Sequence, residues 1–412
     1  MPIARRWSSG SRFAMDDVPA PLQVVVAGGG VAACELVLGL DALAGKRVAI
    51  TLIAPDSHFS YRQPGFGSKA LARPPMQRVR LASLASDLGA RLVRDTVCDV
   101  APDRHEVTTA SGATHRYDEL VVAVGARPYA PFRDAVTIGG QDTGEALADL
   151  SSRLGAGRVR SVAFVVPAGA SWTLPLYELA VRTARQGWSA GLDDPRYWLV
   201  TPEPQPLAVF GAAVSREVHQ LLEPEGITFM GGARPDVREG VVLLDRRAMR
   251  LEVDMVVCLP LLAGSRIRGL PTDGDGFIPA DRTGRVPGVA DVYAAGDATS
   301  FPINQGGLAC QQADAVAETI SAVAGASIKP VPFRPVLRGK IITGGRDRFL
   351  YTDSPNDMRR GEFSEQPLWW PPTKVVGRYL SRYLLGRDEE AVHDSTASAP
   401  HVSVSLLLDG EG

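Results

Sequence analysis

Residues 22–30 read LQVVVAGGG, an apolar β-branched run that stops at three glycines, and VAACELVLGLDAL comes next. The first run predicts a buried parallel strand, and the second has helical character. Gly28, Gly30 and Ala33 meet the pattern GxGxxG/A in that setting. The chemistry this suits is pyrophosphate binding. The first glycine allows the tight turn, the second lets the backbone approach the anion, and the small third residue lets helix and strand pack closely. Val31 and Ala32 fall in the first helical turn, whose unpaired N–H groups favour an anion. An acid usually ends the next strand and holds a ribose. Here RVAITLIAP (47–55) has Ala54 at that place, with Asp56 two residues later. Asp56 takes the ribose from the loop, or the ribose is held differently.

Two more segments extend the pattern. YDELVVAVGARP (117–128) is an acidic turn, an apolar strand and then Gly125. VADVYAAGDAT (289–299) is a strand ending in Gly296 and Asp297, an acid able to accept a hydrogen bond from a sugar-like hydroxyl. PINQGGLACQQADAVAETISAVAG (302–325) then opens a helix on a glycine pair.

These motifs, in this order and spacing, resemble the two-dinucleotide-binding-domain flavoproteins of the pyridine nucleotide-disulfide oxidoreductase superfamily. The resemblance covers residues 22–385. ITLIAPDSHFSYRQP (50–64) and RPVLRGKIITGG (334–345) are most similar to the branch of type II NADH dehydrogenases, sulfide:quinone oxidoreductases and flavocytochrome c sulfide dehydrogenases. The resemblance implies an α/β fold of two Rossmann-like, glutathione-reductase-type domains, one for FAD and one for NAD(P), plus a C-terminal cap. It implies that Gly28, Gly30, Val31, Ala32 and Ala33 face the FAD pyrophosphate, and that Arg62 lies in a loop beside the flavin. Val97 comes near the adenine, while Ala123, Val124 and Gly125 line the dinucleotide with Arg127 close by. Asp297 bonds the ribityl chain or a phosphate-bound water, and Gly296 permits close backbone approach. Gly306, Gly307 and Leu308 present N–H groups to the flavin N1/C2 edge, where a helix N-terminus stabilises negative charge. Gln305 and Gln311 either contact a quinone carbonyl or serve the helix as caps and solvent-facing groups. The turn Ile303-Asn304-Gln305 lacks the Lys that many sulfide:quinone relatives carry there.

The second half repeats the strand but not the glycines. RVRSVAFVV (158–166) leads into PAGASWTLPLYELAVRTA (167–184), which keeps only Gly169 and has Trp172 where a small residue is expected. RYWLVTPE (196–203) ends on Glu203, able to hold an adenosine ribose or to sit as a surface acid. In sulfide-oxidising relatives, redox cysteines lie just before the matching "YE" and near the later "RG" segment. Here those stretches are Trp172-Thr173 and Ile341-Ile342-Thr343. Persulfide chemistry needs a thiolate, so sulfide oxidation is not expected. Cys34, Cys258 and Cys310 sit in apolar or helical contexts that suit small core residues.

Composition sets the outer limits. The 412 residues carry a formal charge of −2, with no basic excess for nucleic acid. No apolar run reaches the ~18–20 residues of a membrane-spanning helix. The 4 Cys form no CxxC and no zinc spacing, and the 6 His show no ligand spacing, so no metal is expected. Arg dominates the cations, and Ala and Gly abound, which fits a GC-rich bacterial source. Residues 1–21 lack the apolar core of a secretory signal and read as a disordered leader. Residues 388–412 read as a flexible tail, and a cytoplasmic protein is expected. The FAD domain is expected over 22–133 and 274–330, the degenerate NAD(P)-like domain over 134–273, and the cap over 331–387. In QPLWWPPTKVVGRYLSRYLLGR (366–387), apolar residues recur at helical spacing from Val375 to Leu384, opposite Lys374, Arg378 and Arg382. That amphipathic helix over 372–387 packs on the flavin domain or a second subunit of a homodimer, or lies peripherally on a membrane.

The expected activity is electron transfer from NAD(P)H through FAD to a quinone or another small acceptor. Direct oxidation of an organic substrate without nicotinamide, and a non-catalytic FAD-binding redox partner, stay open beside it.

Overall fold

A computed structural model describes residues 20–62, 76–139, 143–244 and 249–386. Apart from Ala20 and Pro21, the expected leader and tail lie outside these residues.

Two five-stranded parallel sheets organise the chain. The first has the order Val292–Ala294, Glu119–Val122, Leu22–Ala27, Val48–Ile53, Arg91–Val93. The second has the order Val136–Thr137, Met255–Cys258, Ser161–Val165, Arg196–Val200, Ile227–Met230. In each, the strand that opens a strand–turn–helix unit is central, with its successor on one side and a later strand on the other. Strand order therefore reverses beside Leu22–Ala27 and beside Ser161–Val165. Such switch points leave a crevice at the carboxyl ends of the strands, where ligands bind in doubly wound sheets. Each sheet also carries a three-stranded antiparallel meander: Val97–Ala101, Glu106–Thr109 and Thr114–Arg116 in the first, Pro235–Arg238, Val241–Leu244 and Met249–Glu252 in the second. One plan is thus used twice, in two Rossmann-like α/β units.

Sequence explains the central strands directly. VVVA and SVAFV are buried on both faces, as continuous apolar strands in covered parallel sheets must be. The helices Val31–Ala44 and Gly306–Val323 pack against each other over the first sheet. They approach closely because Gly39 has no side chain: a Cβ there would lie 3.1 Å from Ala317 and 3.2 Å from the Tyr379 ring. The two units are joined by an antiparallel ribbon, Arg127–Tyr129 against Leu261–Ala263.

A three-stranded antiparallel sheet, Leu337–Ile341, Arg348–Thr352 and Glu362–Ser364, lies beyond them in the chain. Leu337 and Ile341 enter the core of the second unit. The last described stretch departs from the helix expected over 372–387. Only residues 380–386 are helical. Pro371 and Pro372 suit extended backbone, and the helix starts where the Glu35 carboxylate accepts the N–H groups of Tyr379 (2.8 Å) and Leu380 (2.7 Å). Leu380 and Leu384 lie inside the core of the first unit. Two residues of the expected apolar face are thus covered by protein. Among the described residues no helix is long and apolar enough to cross a membrane, and no cluster of His, Cys, Asp and Glu could hold a metal ion.

Candidate functional site

The crevice above the first sheet is built by three glycines with three jobs. Gly28 has φ +124°, and a Cβ there would collide with the carbonyl oxygen of Ala123. Its N–H donates to the Ile53 carbonyl at 2.8 Å. Gly28 therefore lets the turn cross the ends of two neighbouring strands. Gly29 faces inward, since a Cβ would lie 2.6 Å from Leu81 and 3.0 Å from Ala54. Gly30 faces open space, with no atom within 4 Å of a Cβ position. It precedes the helix Val31–Ala44, which has no side-chain cap and no acid in its first turn. The first i→i−4 bond is Cys34 N–H to the Gly30 carbonyl, 2.9 Å. The helix thus points uncapped N–H groups from Val31 to Ala33 at an empty space, the arrangement an anion favours by about 0.3–1 kcal/mol or more. Ala33 is wholly buried, and Ala32 touches Gly296, where a Cβ would lie 2.9 Å from the Ala32 methyl. The first and third motifs therefore share one wall.

The other expected residues occupy the following places. Ala123 is buried after its strand, with its N–H on the Ala27 carbonyl, Val124 is half-buried next to it, and Gly125 has φ +70° with open space before it. Arg127 is exposed on the inter-unit ribbon. Asp56 is exposed just past the second strand. The carbonyl of its neighbour Pro55 accepts both Nε (3.2 Å) and Nη2 (2.8 Å) of Arg94, a residue that sequence did not single out. Val97 is buried at the start of its strand. Arg62 ends the strand His58–Arg62, and its side chain lies outside the described residues. Gly296 donates to Gln312 Oε1 at 2.6 Å. Burial pushes the Asp297 carboxyl above its ordinary range, and a hydrogen bond with Asn304 pulls it back.

The helix start at Gly306 corrects part of the sequence-based expectation. The Leu308 N–H is already bound: the Gln305 side chain accepts it at 2.9 Å. Gly306 and Gly307 are what is left of the three expected donors. Gln305 is buried, and its Nε2 donates to the Arg338 carbonyl at 3.2 Å. Gln311 donates to the Gly307 and Val336 carbonyls (3.1 and 2.9 Å) and accepts the Val336 N–H at 2.9 Å. Both candidate catalytic glutamines are therefore fasteners between this helix and the 336–338 segment. Replacing Gln311 with alanine removes three bonds, each worth about 0.5–1.5 kcal/mol. A fall in melting temperature with an unchanged KM for quinones is expected. A raised quinone KM at constant stability would restore the quinone contact.

The second crevice is different. The turn keeps Gly169 at φ +92°, with Ala170 N–H on the Pro167 carbonyl (3.2 Å). Trp172 folds onto Phe210, ring centroids 6.0 Å apart, against the core of the second unit. Glu203 is engaged within the chain. Tyr177 donates to it at 2.8 Å, Thr173 at 3.1 Å and Thr201 at 3.2 Å, so both oxygens have partners. Burial raises its carboxyl while these bonds lower it. The strand leading into one of the stretches that match the redox thiols packs on the helix that follows the other: a Cβ on Gly339 would crowd Leu174. Neither carries a cysteine. The three buried thiols, Cys34, Cys258 and Cys310, are poor nucleophiles. Burial and Glu35 push Cys34 up to about 12, and burial raises Cys258 and Cys310.

The family model of the pyridine nucleotide-disulphide oxidoreductases matches residues 22–321. The chain belongs to this family. It is an FAD-dependent oxidoreductase, and the family implies NAD(P)H as the companion nucleotide. The residues of the first crevice fit FAD: an open glycine at Gly30, an uncapped helix and a second open glycine at Gly125. Solved structures share the fold. A sulfide:quinone oxidoreductase from the hyperthermophilic bacterium Aquifex aeolicus matches with TM-score 0.75 at 19% identity, covering 90% of this chain and 91% of that one. A ferredoxin reductase from Rhodopseudomonas palustris matches with TM-score 0.57 at 20% identity, covering 80% and 82%. The putidaredoxin reductase–putidaredoxin complex matches with TM-score 0.57 at 19% identity, covering 81% and 82%. No curated protein sequence matches the chain.

Proposed function

We propose that this oxidoreductase passes electrons from NAD(P)H through FAD to a quinone or another small acceptor. The observation that carries this reading is the first crevice, where an open Gly30 and an uncapped helix await an anion. Bound FAD supplies the redox chemistry. The chain binds and orients it and sets the charge around it. Gly28 holds the turn against the strand ends, and Val31–Ala33 direct N–H groups at the pyrophosphate. The Gly306–Gly307 end of the long helix favours negative charge at the ring edge, with no acid in its first turn to oppose it. Sulfide oxidation is set aside on chemical grounds, because the two matching stretches present Trp172-Thr173 and Ile341–Thr343 instead of thiols.

One observation favours a second reading. Trp172 and the engaged Glu203 leave the second crevice without the usual glycine cradle and ribose acid. An organic substrate could then reduce the flavin directly. Anaerobic titration of the purified, FAD-loaded protein with NADH and then NADPH separates the two. Stoichiometric loss of the oxidised-flavin absorbance is expected with one of them, followed by recovery on adding a soluble quinone. No bleaching with either would remove the nicotinamide donor and favour the organic substrate.

A further inference from the structure

The turn Gly296–Ala298 is held with unusual thoroughness for a surface connection. Gly296 has φ +72°, and a Cβ there would lie 2.9 Å from the Ala32 methyl and 3.4 Å from the Ala309 methyl. The turn is therefore wedged between the helices Val31–Ala44 and Gly306–Val323. Both backbone polar groups of Gly296 are also tied. Its N–H donates to Gln312 Oε1 at 2.6 Å. Its carbonyl accepts the Thr299 hydroxyl at 2.9 Å and the Thr299 N–H at 3.0 Å. Gln312 Nε2 donates to Thr299 Oγ1 at 3.4 Å, which closes a circuit of three groups around one glycine.

Packing alone does not ask for a glutamine at this place. Gln312 is half-buried, and with Thr299 it lines a cavity of about 490 Å³ that also reaches Phe301 and Phe333. None of the glycines of the first crevice lines that cavity. An apolar side chain of similar length could lie against it equally well. What the amide alone supplies is an acceptor for the Gly296 N–H together with a donor for the hydroxyl that grips the Gly296 carbonyl. The residue that this circuit fixes is the next one, Asp297, half-buried and hydrogen-bonded with Asn304. A carboxylate that is to meet a ligand hydroxyl must be held to within about 0.5 Å, by neighbours that are themselves locked.

We propose that Gln312 is a positioning residue of the flavin site: with Thr299 it sets the Gly296 turn so that Asp297 meets the ribityl chain of FAD. This rests on the FAD reading above and on Asp297 as the ribityl acid. Gln312 touches no reacting atom and acts through Asp297.

The test is a double-mutant cycle on FAD affinity, with wild type, Gln312→Met, Asp297→Ala and the double variant. The dissociation constant is read from the fluorescence of FAD released when the loaded protein is diluted. Gln312→Met is expected to weaken FAD binding about tenfold, the scale set by a buried N–H left without its acceptor. In the Asp297→Ala background the same change is expected to cost about threefold or less, because the group it positions is gone. A glutamine that merely supports the fold would cost the same in both backgrounds, and that result overturns the proposal while leaving the FAD reading intact. So does a Gln312→Met protein that binds FAD like wild type when Asp297→Ala does not. An Asp297→Ala protein that binds FAD like wild type overturns the ribityl role of Asp297 and the proposal with it. Should Gln312→Met not fold, Thr299→Val, which removes the hydroxyl and keeps the shape, takes its place in the cycle with the same expected results. Wild-type protein that takes up no FAD overturns both readings.

Discussion

Replacing Gly28 with valine is expected to give a protein that neither holds FAD nor keeps its stability. Two effects add at this position. The φ of +124° is one that L side chains rarely adopt, and such backbone costs about 1–3 kcal/mol. The Cβ would also press on the carbonyl carbon of Ala123 at 2.6 Å and on its oxygen, and on Val124 N at 3.1 Å. Those atoms belong to backbone and cannot swing aside. Ala123 N–H is bonded to Ala27 and Gly28 N–H to Ile53, both at 2.8 Å, so relief requires breaking the ends of the central strands. A loss of about 3–5 kcal/mol is the natural scale for overpacking joined to lost bonds. Gly30→Ala is the control. Its φ is −88° and the space before it is empty, so it should fold like wild type. It should nevertheless bind FAD about ten- to a hundredfold more weakly, because the added methyl stands where the pyrophosphate approaches. Thermal unfolding and the flavin-to-protein absorbance ratio read both variants. A yellow, fully loaded Gly28→Val of unchanged stability would refute this account of the loop.

The same contrast explains which residues were legible in the sequence. What Gly28, Gly30 and Ala33 require is local: one turn, one strand end, one helix start. Spacing alone exposes such needs, and the parallel strands LQVVVA and SVAFV announce themselves equally through continuous apolar burial. Gln305 and Gln311 were ambiguous because their partners, Arg338 and Val336, lie 33 and 25 residues away on another element. Glu203 looked free for a ribose because Tyr177 and Thr173 reach it from a separate helix and its cap. The C-terminal helix looked longer than it is because Val375 and Val376 keep the apolar rhythm through a stretch that is not helical. Periodicity reports which face is apolar, and it does so whether or not the backbone completes its turns. Glu35 left a trace in the sequence, a lone acid inside VAACELVLGL. Its meaning depended on residues 377–380, more than 340 positions later.

That acid supports the second large prediction. Glu35 is wholly buried, and its two oxygens accept the N–H groups that begin the C-terminal helix. Gly377 must lack a side chain there, since a Cβ would meet Glu35 and lie 3.0 Å from Cys310 Sγ. Replacing Glu35 with alanine strands two buried donors that had charge-assisted bonds, a loss on the order of 3–5 kcal/mol. The C-terminal segment should become the first site of limited proteolysis. Asp314 shares the same pocket. Burial first, then the charge of Glu35 and a hydrogen bond with it, push its carboxyl up to about 8; Glu318 adds to this and Arg378 opposes it. At neutral pH Asp314 therefore keeps a proton and shares it with Glu35. The unfolded chain releases that proton near pH ~4, so the native state binds more protons between about pH 4 and pH 8. Stability from this site must then fall as pH rises through that window and level off above it. Asp314→Asn keeps a donor toward Glu35 and has no proton to lose. Urea unfolding at pH 5, 7 and 9 should show the wild type losing stability relative to this variant as pH rises, with the variant ahead at pH 9. Parallel pH profiles for the two proteins would mean that the carboxyl pair does not share a proton, and the clasp would then rest on the Glu35 hydrogen bonds alone.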